Sequence, residues 1–123
     1  ANPRHGRGQG EGGVAQALRA TLYDEMVIND KGRIINPRFR DYHLPQFADI
    51  PRTEVFFADT SDTIGPMGAK SMSESPYNPV GPAIGNAIAN ATGIRFTSTP
   101  FKPDRLFPAL HEKFGKYIFF GCA

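Results

Sequence analysis

The stretch GAKSMSESPYNPVGPAIGNAI, residues 68–88, carries one carboxylate, Glu74, in a run of glycine, alanine and serine. A carboxylate can take up a proton in a reaction, and small neighbours leave room for a ligand to come close. Two environments would act on its charge in opposite directions. The stretch runs toward a predicted helix, whose N-terminal dipole favours an anion by roughly 0.3–1 kcal/mol. Burial in a closed pocket opposes the charge by several kcal/mol and raises the pKa. Burial therefore wins if Glu74 lines a pocket, and a pKa raised toward neutrality suits a general base. Left in water, the same residue is a solvated loop acid.

A second pattern lies in GRGQGEGG, residues 6–13. Residues 8–13 fit G-x-G-x-x-G, but a dinucleotide fingerprint follows a strand, and ANPRH is too short and polar to be one. Read as a glycine-rich loop, the segment would let backbone N–H groups approach a phosphate or cofactor. The amide of Gln9 could both donate and accept hydrogen bonds there, or Gln9 is merely exposed. His5, His43 and His111 have no short-spaced partner and make no metal motif. Ser71, Ser73 and Ser75 surround Glu74, yet none sits in a G-x-S-x-G elbow. Cys122 is the sole cysteine, which excludes an internal disulfide or a multi-cysteine metal site. It reads as a free thiol on a loose tail, in a composition that suits a reducing compartment.

The elements that must position these residues belong to one domain, since 123 residues are too few for two. The 13 glycines and 11 prolines imply many turns rather than a helical bundle. The net charge of +2 is spread along the chain, and no basic helix or aromatic platform points to nucleic acid. No apolar run approaches the ~18–20 residues that cross a bilayer. Val14, Leu18, Leu22 and Met26 recur every fourth residue and predict a helix from about Gly12 to Met26. NDKG, residues 29–32, predicts a turn between two short strands. TEVFFAD, residues 53–59, is the best strand, rich in aromatic and β-branched residues. A long loop of residues 60–75 follows, of a length that is often functional. A second helix starts at Asn78 and Pro79, or one turn later at Pro82, and ends at Gly93. Its expected apolar face is Ile84 and Ile88 with Ala83, Ala87 and Ala91. A short strand and a proline-rich exit close the pattern. The expected fold class is α+β, with two main helices packed on a small, mostly antiparallel sheet.

GQGEGGVAQAL, DYHLPQFADIP and GPMGAKSMSESPYNPVGPAIGNAIANATG, in this order and spacing, resemble the C-terminal part of the molybdopterin-binding large subunit of the xanthine oxidase family, which includes xanthine dehydrogenases and aldehyde oxidoreductases. The resemblance runs from Asn2 to about Leu106. It implies that residues 1–106 are the C-terminal portion of a larger molybdopterin-binding domain and that residues 107–123 are a divergent tail. Glu74 takes the place of the family's glutamate in its G-A-K-G-x-G-E-P-like stretch. The resemblance implies that Glu74 is the general base of a molybdenum-dependent hydroxylase acting on an aldehyde or purine-like N-heterocycle with oxygen from water. Gln9 matches the glutamine that approaches the pterin, and Gly68, Ala69, Lys70 and Ser71 match the cofactor-side backbone run.

The implied cofactor is molybdopterin, as its cytosine dinucleotide, with molybdenum. Electrons would leave to 2Fe-2S clusters and FAD on partner domains or subunits. The implied partners are the remainder of the molybdopterin-binding subunit, the iron–sulfur and FAD subunits, and a small-molecule substrate. Neither nucleic acid nor membrane is implied, and the expected compartment is the cytoplasm, with the periplasm as the alternative. The isolated chain is expected to be inactive, because most of the family's cofactor contacts lie upstream of Ala1. Some residues depart from the family pattern. Ser71 and Ser73 stand where many members have glycine, Ser75 follows the glutamate, Gly10 replaces an apolar residue and Arg7 replaces an acid. These departures, and a tail that matches nothing, motivate the alternative of a non-catalytic interaction or assembly module.

Overall fold

The computed structural model describes residues 2–72 and 74–115. The expectations for Ser73, for Cys122 and for the end of the tail lie outside the described residues. Among the described residues three helices form: α1 (Pro3–Leu22), α2 (Val80–Thr92) and α3 (Pro103–Phe114), with single 3-10 turns at Phe47–Asp49 and Pro66–Gly68. Among the described residues there is no strand and no sheet, which overturns the α+β expectation. The NDKG turn does form. The Asn29 amide donates to the Arg33 carbonyl at 2.9 Å and Gly32 takes φ +73°. Pairing then stops at one antiparallel bridge between Ile28 and Ile34. Residues 53–59 have strand-like composition but no partner strand among the described residues.

The first helix starts at Pro3 rather than near Gly12 and ends at Leu22 rather than Met26. Asn2 caps it, its Oδ1 accepting the Arg4 amide at 3.0 Å. Pro3 fills the first turn, where a missing N–H costs nothing. Glycines 6, 8, 10, 12 and 13 therefore lie inside a helix, at about 1 kcal/mol each relative to alanine. That cost is why the segment reads as a loop. Packing answers it. Gly6, Gly10 and Gly13, spaced four and three residues apart, form one bare face. A Cβ added there would meet Phe57 at 3.0 Å, Val55 at 3.1 Å and Pro76 at 3.0 Å respectively. Gly8 and Gly12, on the other side, have nothing within 4 Å.

Helix α2 packs on the C-terminal half of α1. Ala17, Leu18 and Thr21 are buried, and the Thr21 hydroxyl is satisfied by donating to the Ala17 carbonyl at 2.7 Å. Gly81 and Gly85, one turn apart on α2, allow this approach. Cβ positions there would fall 3.4 Å from Thr21 and 3.4 Å from Phe101. Ile84 and Ile88 are half-buried, but Ala83, Ala87 and Ala91 are exposed, so the buried face is narrower than expected. Gly93 caps α2 at φ +65°, donating to the Ala89 carbonyl at 2.7 Å, as the sequence predicts.

Helix α3 replaces the expected irregular exit. Pro103 and Asp104 open it, and His111 and Lys113 sit in its last turn. It is tied to the end of α1 by Glu25, which accepts from Lys102 at 2.6 Å and also from Arg105.

The core is small. Among the described residues its buried apolar side chains are Ala17, Leu18, Pro100 and Phe101. Phe39 and Phe56 are each 85% exposed, and Ile64 and Met67 stand free of the fold. The chain exposes 10199 Å², about one and a half times the roughly 6,500 Å² expected of a compact monomer of this mass.

Candidate functional site

Glu74 opens a hydrogen-bonded turn. Its carbonyl accepts the amides of Tyr77 at 3.0 Å and Asn78 at 3.2 Å. Pro76 and Pro79 stiffen that turn before α2 begins at Val80. The carboxylate therefore sits more than one helical turn ahead of α2, beyond the reach of its dipole. The side chain is exposed to solvent. The burial on which the general-base expectation rests is thus not supplied by this chain alone.

Gln9 lies on α1 and is exposed. The expectation of a glycine loop offering backbone N–H groups is overturned, because the helix uses those donors from Gly6 onward, starting with Gly6 to the Asn2 carbonyl at 3.0 Å. What remains to a ligand is the Gln9 side chain. It shares a turn with Gly13, the residue on which Pro76 rests. Sequence-distant segments thus meet in a cleft of about 340 Å³ whose walls include Gly10, Val14, Val55, Phe57, Met72 and Pro76. Gly10 adjoins Gln9, and Met72 and Pro76 flank Glu74. The two candidate residues stand at the margins of this cleft rather than inside it.

The cofactor-side run leaves a tight loop. Gly68 takes φ +76° and follows Met67 at φ +55°, a conformation glycine adopts freely and methionine rarely. The Gly68 and Ala69 amides donate back to Gly65 and Pro66 at 3.0 Å each, and the Gly68 carbonyl accepts the Asp62 amide at 3.0 Å. A Cβ at Gly65 would lie 1.9 Å from the Ala69 carbonyl oxygen, so only glycine permits this closure. Lys70 and Ser71 emerge exposed, and their amides make no hydrogen bond to a described residue. Lys70 offers a cation and, with Ser71, two N–H groups, and Gln9 offers a side-chain amide on α1; each is a donor type that suits a phosphate-bearing ligand.

A larger cleft, about 450 Å³, lies away from these residues between Met26, Ile34, Pro37, Phe39 and Tyr42. The sequence assigns no role to Glu25, Lys102 and Arg105, which come together across the fold. The hydrogen bond from Lys102, opposed by partial burial and aided by the charges of Lys102 and Arg105, holds the Glu25 carboxyl below the usual carboxylate range. Their separation in the chain hides this cluster from any local motif. The histidines also stay apart. His43 packs on the Tyr23 ring with centroids 4.6 Å apart, and His111 packs on Phe107 at 5.8 Å.

Residues 1–51 match the family described as the molybdopterin cofactor-binding domain. The chain is 39% identical over 113 residues to the aldehyde oxidoreductase molybdenum-binding subunit of Escherichia coli, covering 90% of this chain and 15% of that protein. It is 35% identical over 111 residues to the putative xanthine dehydrogenase molybdenum-binding subunit of Escherichia coli, covering 89% of this chain and 15% of that protein. The solved structure of quinoline 2-oxidoreductase from Pseudomonas putida 86 is similar over 91% of this chain and 15% of its own, with a TM-score of 0.80 at 29% identity. The chain therefore spans about 15% of the length of the relatives it matches.

Proposed function

This chain is a homologue of one segment of the molybdenum-binding subunits of the xanthine oxidase family, and on that premise we propose that it supplies one wall of a molybdopterin site in an oxidoreductase. What supports the reading is the cleft in which the α1 turn next to Gln9 meets the two flanks of Glu74. The proposed reaction is hydroxylation of an aldehyde or a purine-like N-heterocycle with oxygen from water. The bound cofactor, molybdopterin cytosine dinucleotide with molybdenum, would supply the two-electron oxidation.

This chain's own residues then have separate tasks. Lys70 places a positive charge toward the cofactor's phosphates, and the Lys70 and Ser71 amides donate hydrogen bonds. Gly68 and Ala69 keep bulk off the approach, and the Gln9 amide contacts the pterin edge. The Glu74 carboxylate takes up the proton released as the substrate carbon gains oxygen. Glu74 is exposed here, so the rest of the subunit must close over it before that base works out of water. The 2Fe-2S and FAD groups would lie on partner domains or subunits in the cytoplasm, and the isolated chain would be inactive.

The exposure of Glu74 also favours a second reading, a non-catalytic assembly module that keeps the fold. Glu74→Gln in the reconstituted assembly separates the two. A positioned base contributes about 10²–10⁴-fold, so kcat should fall by that factor with assembly and cofactor content unchanged. Turnover within about twofold of the parent would leave only the module reading.

A further inference from the structure

Residues 53–59 read as a strand, and the backbone presents them as one that lacks a partner. Val55 and Phe57, two positions apart, rest on Gly10 and Gly6 of α1. Phe56 between them points away and is 85% exposed. That is the two-residue alternation of a pleated strand with one face seated. From Glu54 to Phe57, no backbone N–H or C=O is hydrogen-bonded to a described residue, and the nearest such bond is the Thr60 amide to the Ala58 carbonyl at 2.9 Å. A row of open donors and acceptors on an aromatic, β-branched segment is a template for another strand.

We infer that residues 54–58 dock one extended strand of a second polypeptide segment, the part of a molybdenum-binding subunit that this chain does not contain. This rests on the reading of the chain as one segment of a larger subunit, and no sheet forms among the described residues. Three observations fix the kind of partner. The relatives extend far beyond the 15% that the chain spans, so they contain polypeptide outside it that could supply the strand. The glycine face of α1 seats Val55 and Phe57 beforehand, which lowers the entropy lost on docking. From Thr53 to Ala69 the chain carries Glu54, Asp59 and Asp62 and no Lys or Arg, so the incoming strand should have neutral or basic flanks. Exposed Phe56 then packs against a second layer brought by the same partner.

The test co-expresses this chain with the Escherichia coli aldehyde oxidoreductase molybdenum-binding subunit shortened by its matching segment. Amide hydrogen exchange is read residue by residue in the free and bound chain. Co-purification is expected, with exchange slowed at least about tenfold at alternate amides, either Glu54, Phe56 and Ala58 or Val55 and Phe57. A complex in which these amides exchange as in the free chain overturns the strand inference and leaves the larger-subunit reading standing. No complex overturns both. Slowed exchange at these amides in a homodimer of the chain alone also overturns the inference, because the docked strand would then be a second copy.

Discussion

Replacing the α1 glycines one at a time by alanine should give a full gain on the open side of the helix and a graded series, from gain to loss, on the packed side. Each substitution gains about 1 kcal/mol of helix propensity. At Gly8 and Gly12 a methyl meets nothing within 4 Å, so the full gain should appear. At Gly6 the new Cβ lies 3.0 Å from the tip of the Phe57 ring, which is half-exposed and can swing outward, so most of the gain should survive. At Gly10 it meets both methyls of Val55, at 3.1 and 3.3 Å, on a side chain stiff at χ1. There the gain should roughly cancel. At Gly13 it lies 3.0 Å from the Pro76 Cβ, with the Tyr77 backbone nitrogen at 3.5 Å. A comfortable carbon contact is about 3.5–4.0 Å, and a proline ring cannot rotate aside. Overpacking of this kind costs about 1–3 kcal/mol, so Gly13→Ala should lose up to about 2 kcal/mol net. Thermal unfolding followed by far-ultraviolet circular dichroism reads the series, at about 4 °C per kcal/mol for a chain of this size. Gly13→Ala as stabilising as Gly12→Ala would mean that Pro76 does not rest on α1, and the proposed meeting of the Gln9 turn with the Glu74 loop would fall with it.

The Glu25 cluster gives a pH signature. Its folded pKa is held below the ordinary 4.5, so its stabilisation is fully present above that value and is lost as pH falls through the lowered folded pKa. Glu25→Gln should cost about 1 kcal/mol at pH 7, and the gap to the parent should close as pH falls through the lowered folded pKa. Urea midpoints across that range check it, and a gap independent of pH would refute the ion-pair account. A separate measurement is molybdenum content. The isolated chain, purified from cells that make the cofactor, should carry far less than one molybdenum per chain by mass spectrometry of the metal, and stoichiometric metal would contradict the proposed one-wall site.

Local signals were legible where the cause is local. The Asn29 turn and the Gly93 cap depend on a few adjacent residues, and both form as read. The start of α1 was not legible, because its glycines are poor helix formers and are offset only by Val55, Phe57 and Pro76, which lie far along the chain. The sheet was misread for a related reason. Residues 53–59 have the composition of a strand, but composition cannot say whether a partner strand exists in the same chain. For α3 the signal was present, in Pro103, Asp104 and the His111–Lys113 end, and the interior Pro108 masked it. The roles proposed for Glu74 and the Lys70 run come only from resemblance, since nothing in their own spacing distinguishes a base from a loop acid.

The exposed acid and the oversized surface have a common physical cause. A general base gains strength when water is removed around it, and water is removed by apolar surface closing over the site. Among the described residues few apolar side chains are buried, and aromatic and sulfur-bearing residues of the cleft beside Glu74 stay in solvent, among them Phe56, Phe57 and Met72. An ordinary interface covers about 800 Å² on each partner. The surplus here is several times that, which calls for a covering body of domain size rather than a peptide. Covering Phe56, Phe57 and Met72 would dry the cleft at the same moment that it dried the surroundings of Glu74. Assembly and the tuning of the acid would then be one event, and a variant that weakens docking at residues 54–58 should lower turnover by leaving Glu74 wet, even with every candidate site residue intact.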